Sequence, residues 1–539
     1  MRHPLTLLLT LICLLLALPV LGVLGAWLAL DAAALAVLKH QLQTVLPDYV
    51  LQSVLLAGGV AVGVMVLGAA TAAAVTLYEF PGRRVFEWAL LLPLAMPAYV
   101  LAYAWTDALQ FSGPVQSALR QALGLQGALW PDVRSLPMAV LLFVLCLYPY
   151  VYLLTRAALG ERAVRLMEAA RLLGAPMRRR MLEIALPMAR PAIAAGTALA
   201  LMETLADYGV GSYFGLATFS TGIYKAWLVM NDRIAAAQLA AVLLLVVAAV
   251  LMAERAAQRR LRFASSHAAA PSADARPLVL SGGAALGAWL LCAVPVLLGF
   301  VLPVAWLMRM LWQEAQFSEF GLPLARFSQW ALSSFKLALA AAVAATALAL
   351  ALAFALRQHR SALLQGAARV LSLGYAVPGA VIAIGILLPV GWLQARWPDA
   401  GVAALATGTL FGLLYAYLVR FSAVALQSVE AGYARVPQSI DETARTLGSS
   451  ARRLFTELHL PLLRRSAGAA ALLVFVDVMK ELPATLVLRP FGSDTLAVVA
   501  YNLARDERLA EAALPSLAIV AVGLIPVILL SRALRAPAA

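Results

Sequence analysis

Five ionisable side chains, Glu203, Asp207, Asp477, Lys480 and Glu481, stand in stretches that are otherwise hydrocarbon. A charge left ionised near the centre of a bilayer costs about 3 kcal/mol or more. Such groups must face a bundle interior, pair with one another, or sit at a helix end. Carboxylate oxygens suit a hard cation, so contact with a transported ion is one reading. An ion pair of Asp477 or Glu481 with Lys480, or a helix end at the outer membrane edge, is the other. An offset of 274 residues carries Glu203 to Asp477 and Asp207 to Glu481. The same offset carries Thr221 to Thr495 and Asp232 to Asp506. A constant offset over about seventy residues marks a duplicated unit.

The offset also relates two polar segments. The first reads Glu168-Ala169-Ala170, Gly174 and then Leu186-Pro187; the second reads Glu442-Thr443-Ala444, Gly448 and then Leu460-Pro461. Each predicts a short helix, a stop at the glycine, and a second helix running to the proline. Gly174 and Gly448 supply the positive φ that ends a helix. Ser439, three residues before Glu442, predicts a capping box. Leu172, Leu173 and Leu447 add apolar knobs beside charged rims. A short helix displayed this way suits a groove on a soluble partner.

The elements that hold these segments follow from composition. Of 539 residues, 63% are hydrophobic and 13% charged. A soluble fold cannot hide so much apolar side chain. Apolar windows recur near 6–29, 53–77, 87–107, 136–156, 191–213 and 236–252. A second set falls near 286–311, 331–356, 367–390, 401–425, 466–488 and 512–531. Each is long enough to cross a hydrocarbon layer of about 30 Å, and in lipid only helices satisfy their own backbone without alternating strands. The expectation is an all-α polytopic membrane protein of about twelve spans, built from a duplicated six-span unit with parallel pseudo-two-fold halves. Pro93, Pro97, Pro378 and Pro389 should kink or end helices, and Gly59 and Gly63 permit close helix contact. Arg2 and His3 ahead of the first apolar run resemble a signal peptide, but the run is too long and lacks a clean cleavage site, so a retained span is expected.

With the N-terminus cytoplasmic, most of the 41 Arg and Lys residues fall on one side, including Arg178–Arg180, Arg259, Arg260, Arg262, Arg452 and Arg453. That bias is the positive-inside rule. It puts both repeated segments and both termini in the cytoplasm. The net charge of +14 therefore reports orientation, and nucleic acid is not an expected partner. Residues 1–262 form the first half, 263–278 a cytoplasmic linker within a stretch, about 253–280, rich in Arg, Ala and Ser, and 279–539 the second half. Cys13, Cys146 and Cys292 read as buried small hydrophobes, with no metal or disulfide spacing. The lysines are Lys39, Lys225, Lys336 and Lys480, and none lies in a Gly-rich phosphate loop. No intrinsic cofactor, metal site or catalytic residue is expected. Any nucleotide motor must be another chain.

The two matched segments resemble the EAA loop of permease subunits of binding-protein-dependent ABC importers, with Thr443 departing from the usual middle Ala. The resemblance covers nearly the whole chain. The fused form, with Glu203-Thr204-Leu205-Ala206-Asp207-Tyr208-Gly209 and Lys480-Glu481-Leu482-Pro483-Ala484-Thr485, is most similar to the ferric-iron permeases, with thiamine permeases as close relatives. The resemblance implies a transport channel, not an enzyme, in a bacterial inner membrane. It implies homodimeric ATP-binding subunits that bind ATP and receive the EAA loops, a periplasmic substrate-binding protein, and Fe3+ as cargo. Thiamine, another small solute, or a secondary-transport mechanism are the competing readings; the last needs no matched Glu/Gly/Pro loops. On the outer side, Arg120, Asp132, Arg134, Arg489, Asp494, Asp506 and Glu507 are candidates to meet a delivery protein. Thr221 and Thr495 read either as part of that surface or as helix caps.

Overall fold

The protein is described by a computed structural model covering residues 4–25, 32–159, 164–263, 278–317, 321–359 and 361–535. Residues 264–277 of the expected linker lie outside that set. Apart from a two-residue parallel pairing of Tyr78–Glu79 with Leu278–Val279, the described residues hold helices and turns. Among the described residues, ten helices are long and apolar enough to cross a membrane. Helices Arg83–Ala95 and Ala98–Leu123 make an eleventh if counted as one span, bent by 90° at the break before Ala98. Pro97 occupies the N-cap there, where its missing N–H costs nothing. The expected window at 466–488 differs. Its helix, Leu460–Met479, carries Arg464, Arg465 and Asp477 within twenty residues and stops before Pro483.

The chain forms two compact units, and each draws on sequence from both sides of the linker. One comprises Met1–Gln41, Ile223–Leu244 and Pro323–Val499; the other comprises Leu42–Gly222, Leu245–Leu322 and Ala500–Ala539. In the first unit, helices Leu324–Gln358, Leu410–Tyr433 and Leu460–Met479 pack on one another. Helix Pro4–Gly25 packs on Gly379–Arg396. Gly385 makes that approach possible, since a Cβ there would sit 2.1 Å from the Pro19 carbonyl oxygen.

In the second unit, helices Leu46–Leu77, Leu136–Ala158 and Leu186–Ala206 form the same three-way packing. A glycine stripe sets the spacing. A Cβ on Gly63 would lie 2.3 Å from Val144 Cγ2, and one on Gly68 would lie 2.8 Å from the Tyr148 carbonyl oxygen. With little hydrophobic drive between helices in lipid, this backbone approach supplies the packing that holds them.

Candidate coupling elements and membrane charges

The two EAA-like segments close with the same backbone bonds. Helix Val164–Leu172 ends where Gly174 takes φ +79°, and helix Gln438–Thr446 ends where Gly448 takes φ +81°. The N–H of Ala175 donates to Ala170 O at 2.9 Å and that of Gly174 to Arg171 O at 3.0 Å. In the second copy Ser449 donates to Ala444 O and Gly448 to Arg445 O, both at 3.0 Å. These paired bonds are a Schellman stop, which satisfies the orphan carbonyls of a helix end. The turns display Leu172, Leu173 and Leu447, which are 89%, 88% and 80% exposed.

The return helices also match. Each ends in a π-helical turn, Met181–Ala185 or Leu454–His459, just before its Leu-Pro pair. Pro187 and Pro461 have no N–H to offer, and the residue before each reaches back five positions, Leu186 N to Met181 O and Leu460 N to Phe455 O. Pro187 is half-buried and Pro461 exposed. Ala169, Glu442 and Thr443 are exposed, Ala170 and Ala444 partly so. The side chain of Glu168 lies outside the described residues.

The expected capping box is not formed. The second helix begins at Gln438 with Pro437 as N-cap, so Ser439 lies inside the first turn, where its carbonyl accepts from Thr443 Oγ1 at 2.9 Å. The return helix is the one with a side-chain cap: Ser450 Oγ accepts from Arg453 N at 3.3 Å.

A buried network that sequence reasoning missed ties the second element to its unit. Arg357 Nε and Nη2 bond Asp441 at 2.8 and 3.1 Å. Arg357 also donates to the carbonyls of Val436 and Pro437, both at 2.9 Å. His459, fully buried, faces Asp441 Oδ1 at 3.0 Å and the Tyr433 hydroxyl at 3.1 Å. Burial alone would raise the Asp441 carboxyl pKa. Hydrogen bonds and charge from Arg357 and His459 outweigh it and hold the group below its ordinary 3.8. Asp441 adjoins the motif residue Glu442 and His459 adjoins Leu460-Pro461, but the Gly448 turn between them hides the pairing from any helical periodicity.

The five membrane charges divide. Lys480 Nζ bonds Asp477 Oδ1 at 2.9 Å, one of the pairings expected. Glu481 has its own set of partners. Its carboxylate accepts from Ala484 N at 2.9 Å, Thr485 N at 3.0 Å and Thr485 Oγ1 at 2.5 Å, and it meets Arg420 Nη1 at 3.4 Å. It thus caps the short helix Pro483–Leu488 and pairs with a buried arginine that the sequence reading did not single out. A Cβ on Gly379 would lie 2.7 Å from Glu481 Oε1, which explains the glycine there. Asp207, its repeat partner, does the same work for helix Gly209–Tyr213, accepting from Val210 N at 2.8 Å. Glu203 sits one turn earlier, half-buried.

Thr495 caps helix Leu496–Arg505, accepting from Val498 N at 3.5 Å. Thr221 fastens the turn before it, donating to Leu216 O at 2.8 Å and accepting from Thr218 N at 2.9 Å. Of the outer candidates, Arg134 bonds Glu507 at 2.7 Å and lies over the Tyr213 ring, and Arg489 pairs with Asp494. Nearby, the Tyr501 hydroxyl bonds Ser212 Oγ at 2.7 Å and the Tyr208 hydroxyl at 3.2 Å.

Residues 64–263 and 345–536 match the family described as binding-protein-dependent transport system inner membrane component. The chain belongs to this family. It is a multi-pass permease carrying the family's domain twice. Among curated relatives it is similar to the Fe(3+)-transport system permease protein FbpB 2 of Haemophilus influenzae, 26% identical over 479 residues, 88% of this chain and 87% of that one. Shorter relatives match single regions. The 2-aminoethylphosphonate transport system permease protein PhnV of Salmonella typhimurium is 31% identical over 33% of this chain and 64% of its own length. The molybdenum transport system permease protein ModB of Escherichia coli is 32% identical over 24% of this chain and 55% of its own. The permease thus holds two geometrically matched turns, and its capping carboxylates close short helices in each unit.

Proposed function

We propose that this permease is the membrane subunit of an ATP-driven importer of ferric iron. A periplasmic binding protein delivers the cargo, and homodimeric ATP-binding subunits dock on the cytoplasmic side, where both termini also lie. The similarity to FbpB 2 over 88% of the chain supports the cargo. The docking reading rests on the two identical Schellman turns with their exposed leucines. Each is a rigid lever, because its flanking spans are packed and its carbonyls are satisfied. ATP is bound and hydrolysed by the partner subunits; this chain's residues receive the motion. Glu168, Ala169, Ala170, Gly174 and Pro187, with Glu442, Thr443, Ala444, Gly448 and Pro461, form the docking surface. Of the membrane charges, Asp207 is the better candidate for a transient cargo contact, since Glu481 is filled by its cap bonds and Arg420, and Asp477 holds Lys480. Weak contact suits transport, because a tight cage would delay release.

Regional similarity to PhnV and ModB favours a second reading, an oxyanion or other small-solute cargo, thiamine included. Proteoliposomes carrying the permease and its ATP-binding subunits, supplied with delivery protein, separate them. Uptake of radiolabelled ferric iron that needs both partners and ATP is the expected outcome. Uptake of molybdate, a phosphonate or thiamine without iron would reassign the cargo and keep the architecture. Uptake with no ATPase would remove the importer reading.

A further inference from the structure

The two coupling elements share a backbone and differ beneath it. The residues 274 positions before Tyr433, Asp441 and His459 are Leu159, Met167 and Ala185, all buried. The second element therefore carries its own carboxylate, matched to Arg357, and the first has methionine at that place. Yet the first element also buries a guanidinium. Arg180 is 8% exposed, and its Nε has no hydrogen-bond partner among the described residues. Its repeat counterpart is Leu454, buried at 2%. The neighbouring pair is conventional in both copies: Arg179 bonds Glu183 at 2.8 Å, and Arg453 bonds Glu457 at 2.7 Å. Glu183 is thus engaged by Arg179.

Arg180 also lines a cleft of about 330 Å³ under the first turn, with Leu173, Gly174, Pro176 and the Arg179–Glu183 pair. A buried polar group without a partner costs free energy, more so when charged. It persists where something else completes it. We infer that the cleft under the first coupling turn is an acceptor site for a carboxylate side chain of the docked ATP-binding subunit, with Arg180 as its ligand. This rests on the docking reading proposed above. An acid is the occupant because the cleft contributes a buried cation whose Nε is unsatisfied, while the acid already at its wall, Glu183, is held by Arg179. The two docking elements are therefore unequal: one is closed by an internal ion network, the other by the partner.

The test uses the full-length permease in detergent with its ATP-binding subunits, comparing wild type with Arg180→Leu, Arg180→Lys and Glu442→Arg. Arg180→Leu installs the residue that the repeat already buries. It should leave the isolated permease as stable as wild type or more so, while weakening subunit association about tenfold or more and flattening its salt dependence. Arg180→Lys should retain part of the affinity. A thermal melt lowered by Arg180→Leu, or association unchanged by it, overturns the inference. If Glu442→Arg also leaves association intact, the docking reading falls as well; if Glu442→Arg alone disrupts it, only the acceptor site falls. Titrating the isolated permease with acetate and with inorganic phosphate covers a free anion. Stabilisation by either that requires Arg180, with subunit association indifferent to it, would overturn the assignment to a partner side chain.

Discussion

Asp441 and His459 lie on opposite sides of the Gly448 turn, eighteen residues apart, and their side chains meet at 3.0 Å. That bond joins the outgoing and returning helices of the second EAA-like segment. Arg357 then fixes the pair to the end of a membrane span. Removing one member of a buried ion pair strands the other, at about 3–5 kcal/mol. Asp441→Ala should therefore loosen the whole element and speed its proteolysis at Gly448, with the rest of the bundle still folded. Equal protease resistance in variant and wild type would show that the network carries no load.

The pH dependence of that anchor has a definite sign. Arg357 and His459 hold the Asp441 carboxyl below 3.8. A depressed carboxyl adds stability that is fully present above the unfolded value of 3.8 and is lost as pH falls through the lower folded value. The stability gap between wild type and Asp441→Asn should therefore stay constant on acidification to about pH 3.8 and shrink only below it. Urea melts of the two proteins across the acidic range measure that gap. A gap that closes near neutrality would place the anchor in some other group.

Gly174 and Gly448 predict a backbone effect free of packing. A Cβ at either position meets nothing within 4 Å. Alanine there should cost only the left-handed strain, about 1–2 kcal/mol, and asparagine less. In proteoliposomes, Gly448→Ala should lower transport more than Gly448→Asn does. Equal activity of both with wild type would mean that the turn relaxes without consequence.

Much of this was legible in sequence, for physical reasons that also mark where legibility ended. Apolar length and a constant offset set the membrane architecture and the two Glu/Gly/Pro segments. A glycine after a charged helix forecast its own positive φ. The capping box at Ser439 failed because the helix starts two residues early, with Pro437 as its N-cap. The window at 466–488 counted as an apolar span although its helix carries Arg464, Arg465 and Asp477. The Arg420–Glu481 and Arg357–Asp441 pairs escaped because their partners lie 61 and 84 residues apart, on helices that only tertiary packing brings together. Membership of the compact units escaped for the same reason. Nothing in the run Pro4–Gly25 says that it packs on Gly379–Arg396.

The glycine stripe of the second unit should be intolerant in a graded way. Gly63→Ala drives a methyl toward Val144, a side chain that can be trimmed. Gly68→Ala drives one into the Tyr148 carbonyl, which cannot yield without moving the helix. Overpacking of this kind costs about 1–3 kcal/mol. Val144→Ala should rescue Gly63→Ala in thermal melts and leave Gly68→Ala unrescued. Rescue of both would mean that the helices slide apart freely.

The capping carboxylates allow structure and transport to be told apart. Glu481 accepts from two backbone N–H groups and one hydroxyl and faces Arg420, so its acceptor positions are filled from within. Glu481→Gln keeps the shape and one carbonyl acceptor but drops the charge opposite a buried guanidinium. It should lower the yield and melting temperature of the permease and leave the cargo dependence of uptake, measured on the protein that folds, unchanged. Asp207→Asn keeps an acceptor for Val210 N, so folding should survive. If Asp207 touches cargo, uptake velocity should fall with the melt unaltered. A reversed pattern, with Glu481→Gln changing cargo dependence and Asp207→Asn changing only stability, would move the cargo path from the first repeat's carboxylates to the second's.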